Sequence, residues 1–243
     1  MVMRASLILS LGLIVTLFCT TACSDVTSES ADAVPVFDVN FVVMTTKYAV
    51  NKQVAVSQFQ KEIDILNRYF VGKNGEHPVQ FRLKGGHTIH ELGDSSCAEL
   101  LRQGDAAVEY NWRAWADMIN SCPDHRVVDP HAINFFIYDS YIDKDGFKDE
   151  TSHGRRNDNR PYIVLDWERL NHRTQSPEEH EMGHAFGLEH VCVGGAGLHT
   201  PTNIMASEEC GRGSGGTRNI GFDSGQLETI RRRARDIQEK LNY

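Results

Sequence analysis

The sequence has no CxxC pair, no excess of basic residues, no internal repeat and no apolar run long enough to cross a membrane. Each absence excludes something. Without CxxC, the six cysteines spell neither a ribbon-type metal site nor a dithiol redox centre. A formal net charge of −8 argues against nucleic acid as the main partner and reads as a soluble acidic surface. The uncharged apolar run Leu7–Cys19 has 13 residues, whereas a spanning helix needs about 20.

That run has instead the layout of a secretory leader. Arg4 precedes it, and the small residues Thr20, Thr21 and Ala22 follow. Residues 1–22 are therefore read as a signal peptide. Cys23 resembles a bacterial lipoprotein acylation site, although Thr20 stands where such sites usually carry leucine; ordinary cleavage nearby is the alternative. Residues 23–34 are small, polar and acidic, a tether rather than folded chain. The protein is expected to be exported, either membrane-anchored through Cys23 or secreted or periplasmic. No other membrane contact is expected.

Residues 35–243 suffice for one sizeable core, or two small lobes around a cleft. Cys97, Cys122, Cys192 and Cys210 are an even set in an exported chain, which suggests two disulfides. Three pairings are possible. Cys97–Cys122 with Cys192–Cys210 is favoured because each closes a local loop.

Val36–Met44 is β-branched and aromatic and reads as a strand. Ser57 with Gln60 forms a capping box, and Phe59, Ile63, Leu66 and Phe70 recur at helical spacing up to Gly72. Val79–Leu83 alternates like a second strand. Ala98–Ile119 reads as a helix that Gly104 could break, with Val108, Trp112, Trp115 and Ile119 on one face. Ile133–Tyr138 and Tyr162–Leu165 complete the strands, the former buried on both sides. Strands alternating with helices imply a mixed sheet. Residues 191–223 are rich in glycine, serine, threonine and asparagine. A final helix, Gln226–Leu241, carries the stripe Leu227, Ile230, Ala234, Ile237 and Leu241; the run Arg231–Arg233 falls largely off it, on a solvated face.

The most informative segment is His180-Glu181-Met182-Gly183-His184-Ala185-Phe186-Gly187-Leu188-Glu189-His190. His180 and His184 are four apart, so a helix places both imidazoles on one face, where they can share one zinc ion. Glu181 adjoins the first ligand and can reach a water on the metal. Ser176, Pro177 and Glu179 supply a cap, a first-turn proline and a capping box for that helix. Gly187 lets the chain turn sharply, returning His190 to the same ion. Three neutral imidazoles leave a fourth position open, as in catalytic zinc sites.

The pattern HExxHxxGxxH resembles the metzincin signature, and His180, Glu181, His184, Gly187 and His190 match its fixed positions. Asn203-Ile204-Met205-Ala206 is similar to the metzincin methionine turn. The resemblance implies an α+β, zincin-like domain over residues 35–243: a mixed twisted sheet with helices above the zinc cleft, an upper lobe to about residue 190, and a smaller irregular lower lobe ending in the C-terminal helix. It also implies that Met205 packs beneath the zinc without ligating it. Zinc would activate a water, Glu181 would serve as general base, and a peptide or protein would be the substrate of a monomeric endopeptidase. Some members carry a tyrosine two residues after the methionine; Ser207 stands there, so that role is assigned to no residue. Phe59–Phe70, Val79–Leu83 and Thr200-Pro201 before the turn look like pappalysin-type members. Metzincin substrates run antiparallel to an edge strand before the active helix, and that edge is placed in Asp149–Arg155.

Asp143–Glu150 carries clustered carboxylates of the kind calcium takes, but Gly146 is fourth where an EF-hand requires its glycine sixth. A solvated acidic turn is the preferred reading, with calcium the alternative. The other eight histidines lack ligand spacing. Gly211–Gly216 is either a loop near a specificity pocket or a plain linker. The few residues between Cys23 and the first strand lead to the expectation that the protein is made without a long pro-segment. Beside the endopeptidase stand two alternatives: a surface-anchored zinc-containing binding or adhesion module without turnover, and hydrolysis of a non-peptide amide.

Overall fold

A computed structural model describes residues 33–44, 56–89, 97, 98, 100, 112–138, 141, 142, 148, 149, 152–157, 160–166, 177–207 and 215–242. The expected signal peptide, Cys23, Ser176 and Cys210 lie outside them, as do Val108, Gly104 and most of Asp143–Glu150. No helix among the described residues is long and apolar enough to cross a membrane.

The main sheet has five strands in the order β2 (Gln80–Ile89), β1 (Val36–Met44), β3 (Ile133–Tyr138), β7 (Arg160–Asp166) and β6 (Ser152–Asn157). The first four are mutually parallel, and β6 runs antiparallel to β7 at the end of the sheet. The result is a mixed α+β architecture with four helices among the described residues: α1 (Val56–Tyr69), α2 (Trp112–Ser121), α3 (Pro177–Ala185) and α4 (Ser224–Leu241). Ribbons β4 (Tyr141–Ile142) with β5 (Lys148–Asp149), and β8 (Val191–Cys192) with β9 (Ala206–Ser207), complete it.

Alternation along β1 sorts the core into two layers. Phe37, Val39, Phe41 and Val43 face the residues that α1, α3 and α4 bury. Val42 and Met44 face the opposite way, toward Ile119 of α2 and the Cys97–Cys122 disulfide. Period-two side chains on a sheet covered on both faces produce this division. It also explains why every residue of β3 is buried. Asn40 and Asn134 are polar members of that interior. They pair across β1 and β3 (Nδ2 to Oδ1, 3.2 Å), and Asn134 Nδ2 also donates to the Asp129 carbonyl at 2.9 Å. Buried amides are tolerable when bonded in this way.

Two features differ from the sequence expectations. Strand β2 does not stop at Leu83 but continues through Gly85-Gly86 to Ile89. A register shift opposite Val39/Asn40 absorbs the irregularity, as β-bulges do. Gly86 is required there, since a Cβ would meet Phe59 Cδ2 at 2.1 Å. The glycine thus marks a close approach of α1. Secondly, α1 begins at Val56, so Ser57 lies in its first turn rather than before it, and the Gln60 side-chain amide donates one turn along to Asp64 (2.9 Å).

The stripe on α4 is buried as expected, at Leu227, Ile230, Ala234, Ile237 and Leu241. Asp223 caps the helix in a reciprocal box with Gln226. Arg231 pairs with Glu76, and Arg233 with Asp236 (3.2 Å). Phe186, at the end of α3, touches three aromatic rings, those of Phe37, Phe70 and Phe81. It fastens α3 to the sheet. Phe186→Ala is expected to lower the stability measured by urea unfolding by about 3–5 kcal/mol.

Candidate metal centre

Proline is the first residue of α3, where its missing N–H and fixed φ suit a helix start. The helix ends in a Schellman motif: Leu188 N–H bonds the Gly183 carbonyl (2.9 Å) and Gly187 N–H bonds that of His184 (2.8 Å). Gly187 has φ 86°, the left-handed value that such a stop requires. From there the chain enters β8, where Val191 N–H bonds the Met205 carbonyl at 2.7 Å. His190, one residue earlier, is thereby carried back over the helix.

The three histidines converge. Their Nε2 atoms stand 3.2 Å (His180–His190), 3.2 Å (His180–His184) and 3.0 Å (His184–His190) apart. Three nitrogens about 2.0–2.1 Å from a tetrahedral ion would lie roughly 3.3–3.4 Å apart, so the triangle is close to the size of a three-imidazole metal site. The outer nitrogens are fixed as well. His180 Nδ1 bonds the Ile204 carbonyl and His184 Nδ1 the Leu188 carbonyl, both at 2.8 Å. A carbonyl only accepts, so each Nδ1 carries the proton and each Nε2 turns a lone pair to the centre. His180 is buried, and desolvation, then the positive charge of Arg218, lowers it from 6.5 to about 3. It is neutral at neutral pH, the form that binds a metal. Among the described residues, these three histidines form the cluster able to hold a metal ion.

Glu181 follows His180 in the same helix and is 7% exposed. Met205 is fully buried. Its sulfur occupies the space beside Gly183, where a Cβ would stand 2.3 Å from it. Met205 therefore packs against the turn that separates the first two histidines. The turn holding it is stitched from several sides. Met205 N–H bonds Asn203 Oδ1 (2.8 Å), and Asn203 Nδ2 bonds Gln226 Oε1 (2.9 Å) in the α4 cap.

Two disulfides were expected near this core. Cys97–Cys122 is present. Cys192 is disulfide-bonded too, and its expected partner Cys210 lies outside the described residues. The expected substrate edge, Asp149–Arg155, overlaps β6, the last strand of the sheet, against which α3 packs.

The sequence reading missed two contributors. Gly183 is one; a glycine inside a helix costs about 1 kcal/mol against alanine, and that penalty was its signal. The other is Glu62 of α1. It is fully buried, takes a hydrogen bond from Gln58 and adjoins Glu178 at the start of α3. Burial first, then the Glu178 charge, push it up to about 9. Only its place on the inner face of α1 hinted at this.

Two outcomes follow. Gly183→Ala is expected to lower the melting temperature and weaken metal uptake, and adding Met205→Ala to recover part of both losses, a coupling that a double-mutant cycle measures. Glu62 keeps its proton in the fold while the unfolded chain has lost it, so its contribution disappears as pH rises from 4.5 toward 9. Glu62→Gln keeps the acceptor for Gln58 and removes the titration. Thermal unfolding should find it no more stable than the parent at pH 4 and increasingly more stable above pH 5.

No protein-family model and no curated protein matches the sequence. Among solved structures, a chain from a chaperone–substrate complex aligns with a TM-score of 0.44 and 13% identity, over 85% of this chain and 35% of that one. This chain thus spans about a third of the other, and a likeness so slight carries no argument about fold or function.

Proposed function

We propose that the protein is an exported, zinc-dependent endopeptidase of the metzincin type. The observation that carries this reading is the triangle of imidazole nitrogens, 3.0–3.2 Å on a side, two of them from a helix that also bears Glu181. Imidazole suits zinc among the divalent ions, and a three-histidine set leaves a place for water, as catalytic sites do. The buried methionine beneath the helix and the left-handed Gly187 support the same assignment. The β1–α1–β2 opening favours a pappalysin-like member. The Cys97–Cys122 disulfide suits an oxidising compartment.

When bound, zinc would supply a Lewis acid that polarises the scissile carbonyl and acidifies a water. The chain's own residues do the rest. His180, His184 and His190 turn their Nε2 atoms to one point, two rings held by backbone carbonyls and the third brought in by the returning strand. The Glu181 carboxylate takes the proton from the attacking water and passes it to the leaving amine nitrogen. Strand β6 offers its outer edge to an extended peptide, which would add as an antiparallel strand. Met205 and Gly183 keep the helix turn at the right height.

Metal analysis with peptide-library cleavage tests the reading. The parent and Glu181→Ala should each bind one zinc per chain, with cleavage at least about 100-fold slower in the variant. Zinc without cleavage by either protein would instead support a binding module. A chain that takes up no zinc sinks the assignment.

A further inference from the structure

Two consecutive carbonyls serve the metal centre. That of Ile204 accepts from His180 Nδ1 (2.8 Å), and that of Met205 accepts from the N–H of Val191 (2.7 Å), the residue after His190. One turn, Asn203–Ala206, therefore aims the first imidazole and brings in the third. Ligands of a metal have to be held to within about 0.5 Å, so the shape of this turn matters to the site.

The turn is shaped by one side chain. Ala206 N–H bonds the Asn203 carbonyl (2.9 Å) and Met205 N–H bonds Asn203 Oδ1 (2.8 Å). Asparagine thus closes the turn with its backbone and its amide together. That amide is fully used. Oδ1 also accepts from Gln226 Nε2 (3.1 Å), while Nδ2 donates to Gln226 Oε1 (2.9 Å) and to the Gly221 carbonyl (3.3 Å). Two acceptor sites and two N–H groups are all that such an amide has. Turned over, it would set N–H against the Met205 N–H and oxygen against the Gly221 carbonyl, so these bonds admit one orientation.

Gln226 holds the amide in that orientation. It meets Asn203 as a reciprocal pair, and its Oε1 also accepts the N–H of Asp223 (3.0 Å) in the cap of α4. Ile204 N–H bonds the Ile220 carbonyl (2.9 Å), and Ile220 N–H that of Thr202 (2.8 Å). Those main-chain bonds seat the turn beside the approach to α4 but leave the Asn203 side chain free to rotate. The support is firm, because Gln226 is half-buried and the next residue, Leu227, begins the stripe that α4 sinks into the core.

We propose that Gln226 is a positioning residue of the metal centre. Acting through Asn203, it fixes the turn that orients His180 and delivers His190. Metal binding and the seating of the first turn of α4 therefore strengthen each other, as linkage requires. The proposal rests on the three histidines holding zinc, not on what the loaded protein cuts.

The test separates this clasp from the helix cap. Gln226→Glu keeps an oxygen for Asp223 N–H and Asn203 Nδ2, but sets a second carboxylate oxygen against Asn203 Oδ1 where an N–H stood. Asp223→Ala does the reverse: it removes the carboxylate that accepts from Gln226 N–H (2.9 Å) and leaves the Asn203–Gln226 pair in place. Zinc affinity, read by competition with a chromophoric chelator, should fall roughly tenfold in Gln226→Glu. The ligand-field bands of the cobalt(II)-loaded variant should shift with it. Asp223→Ala should lower the melting temperature of the metal-free protein while zinc affinity and cobalt bands stay parental. Should Gln226→Glu not fold, Asn203→Asp takes its place. It keeps the acceptor for Met205 N–H, loses both Nδ2 donations, and is expected to show the same losses. Parental affinity and bands in the clasp variant overturn the proposal and leave zinc binding standing. An equal loss of affinity in Asp223→Ala also overturns it, since Gln226 would then be a helix cap only. A parent chain that takes up no zinc overturns both.

Discussion

The placing of three imidazoles is the constraint on which the rest of the site depends: the Nε2 atoms of His180, His184 and His190 stand 3.0–3.2 Å apart, the spacing of ligands that share one ion. Two of the rings cannot turn away, because their outer nitrogens are bonded to backbone carbonyls. At His180, burial and then the nearby Arg218 disfavour the protonated form. The cluster is thus one that could hold a metal ion, its donors set by the fold itself.

The closing is done by one short segment, Thr202–Ala206. The Ile204 carbonyl orients His180, and the Met205 carbonyl holds the strand that delivers His190. The Met205 side chain fills the space left by Gly183. That segment is in turn bonded through Asn203 to the cap of α4, and Ile204 N–H bonds the Ile220 carbonyl. Helix α4 buries its stripe in the same core as α3. A disturbance at the C-terminal helix therefore has a direct route to the histidines. The connection is physical, being a chain of hydrogen bonds rather than a proximity.

Much of this was legible in the sequence because the relevant spacing is local. His180 and His184 are one helical turn apart, Gly187 marks the exit, and His190 follows within reach. The strands β1 and β3 and the stripe of α4 were equally plain, since each announces itself by its own period. What was not legible depends on residues far apart in the chain. Nothing near Gly86 says that Phe59 will press on it. Nothing near Gly183 says that Met205 will fill the gap, though a glycine between two ligands is a costly choice in a helix. Arg218 lies in a glycine-rich stretch without period, where tertiary bonds to Thr202 and Ala206, and of its neighbour Thr217 to Thr200, fix its place.

The charges around α3 bear on the same site. Glu178, Glu179 and Glu181 crowd the start of the helix, and Glu62 adds a fourth carboxyl from α1. The helix dipole favours negative charge at that end. At Glu62 burial, reinforced by the charge of Glu178, outweighs any such help and the carboxyl keeps its proton. At His180 burial acts in the opposite direction on a base, and Arg218 adds to it, so the ring stays in the form that can bind a metal. One cause, removal from water, thus holds both an acid and a base of this region uncharged.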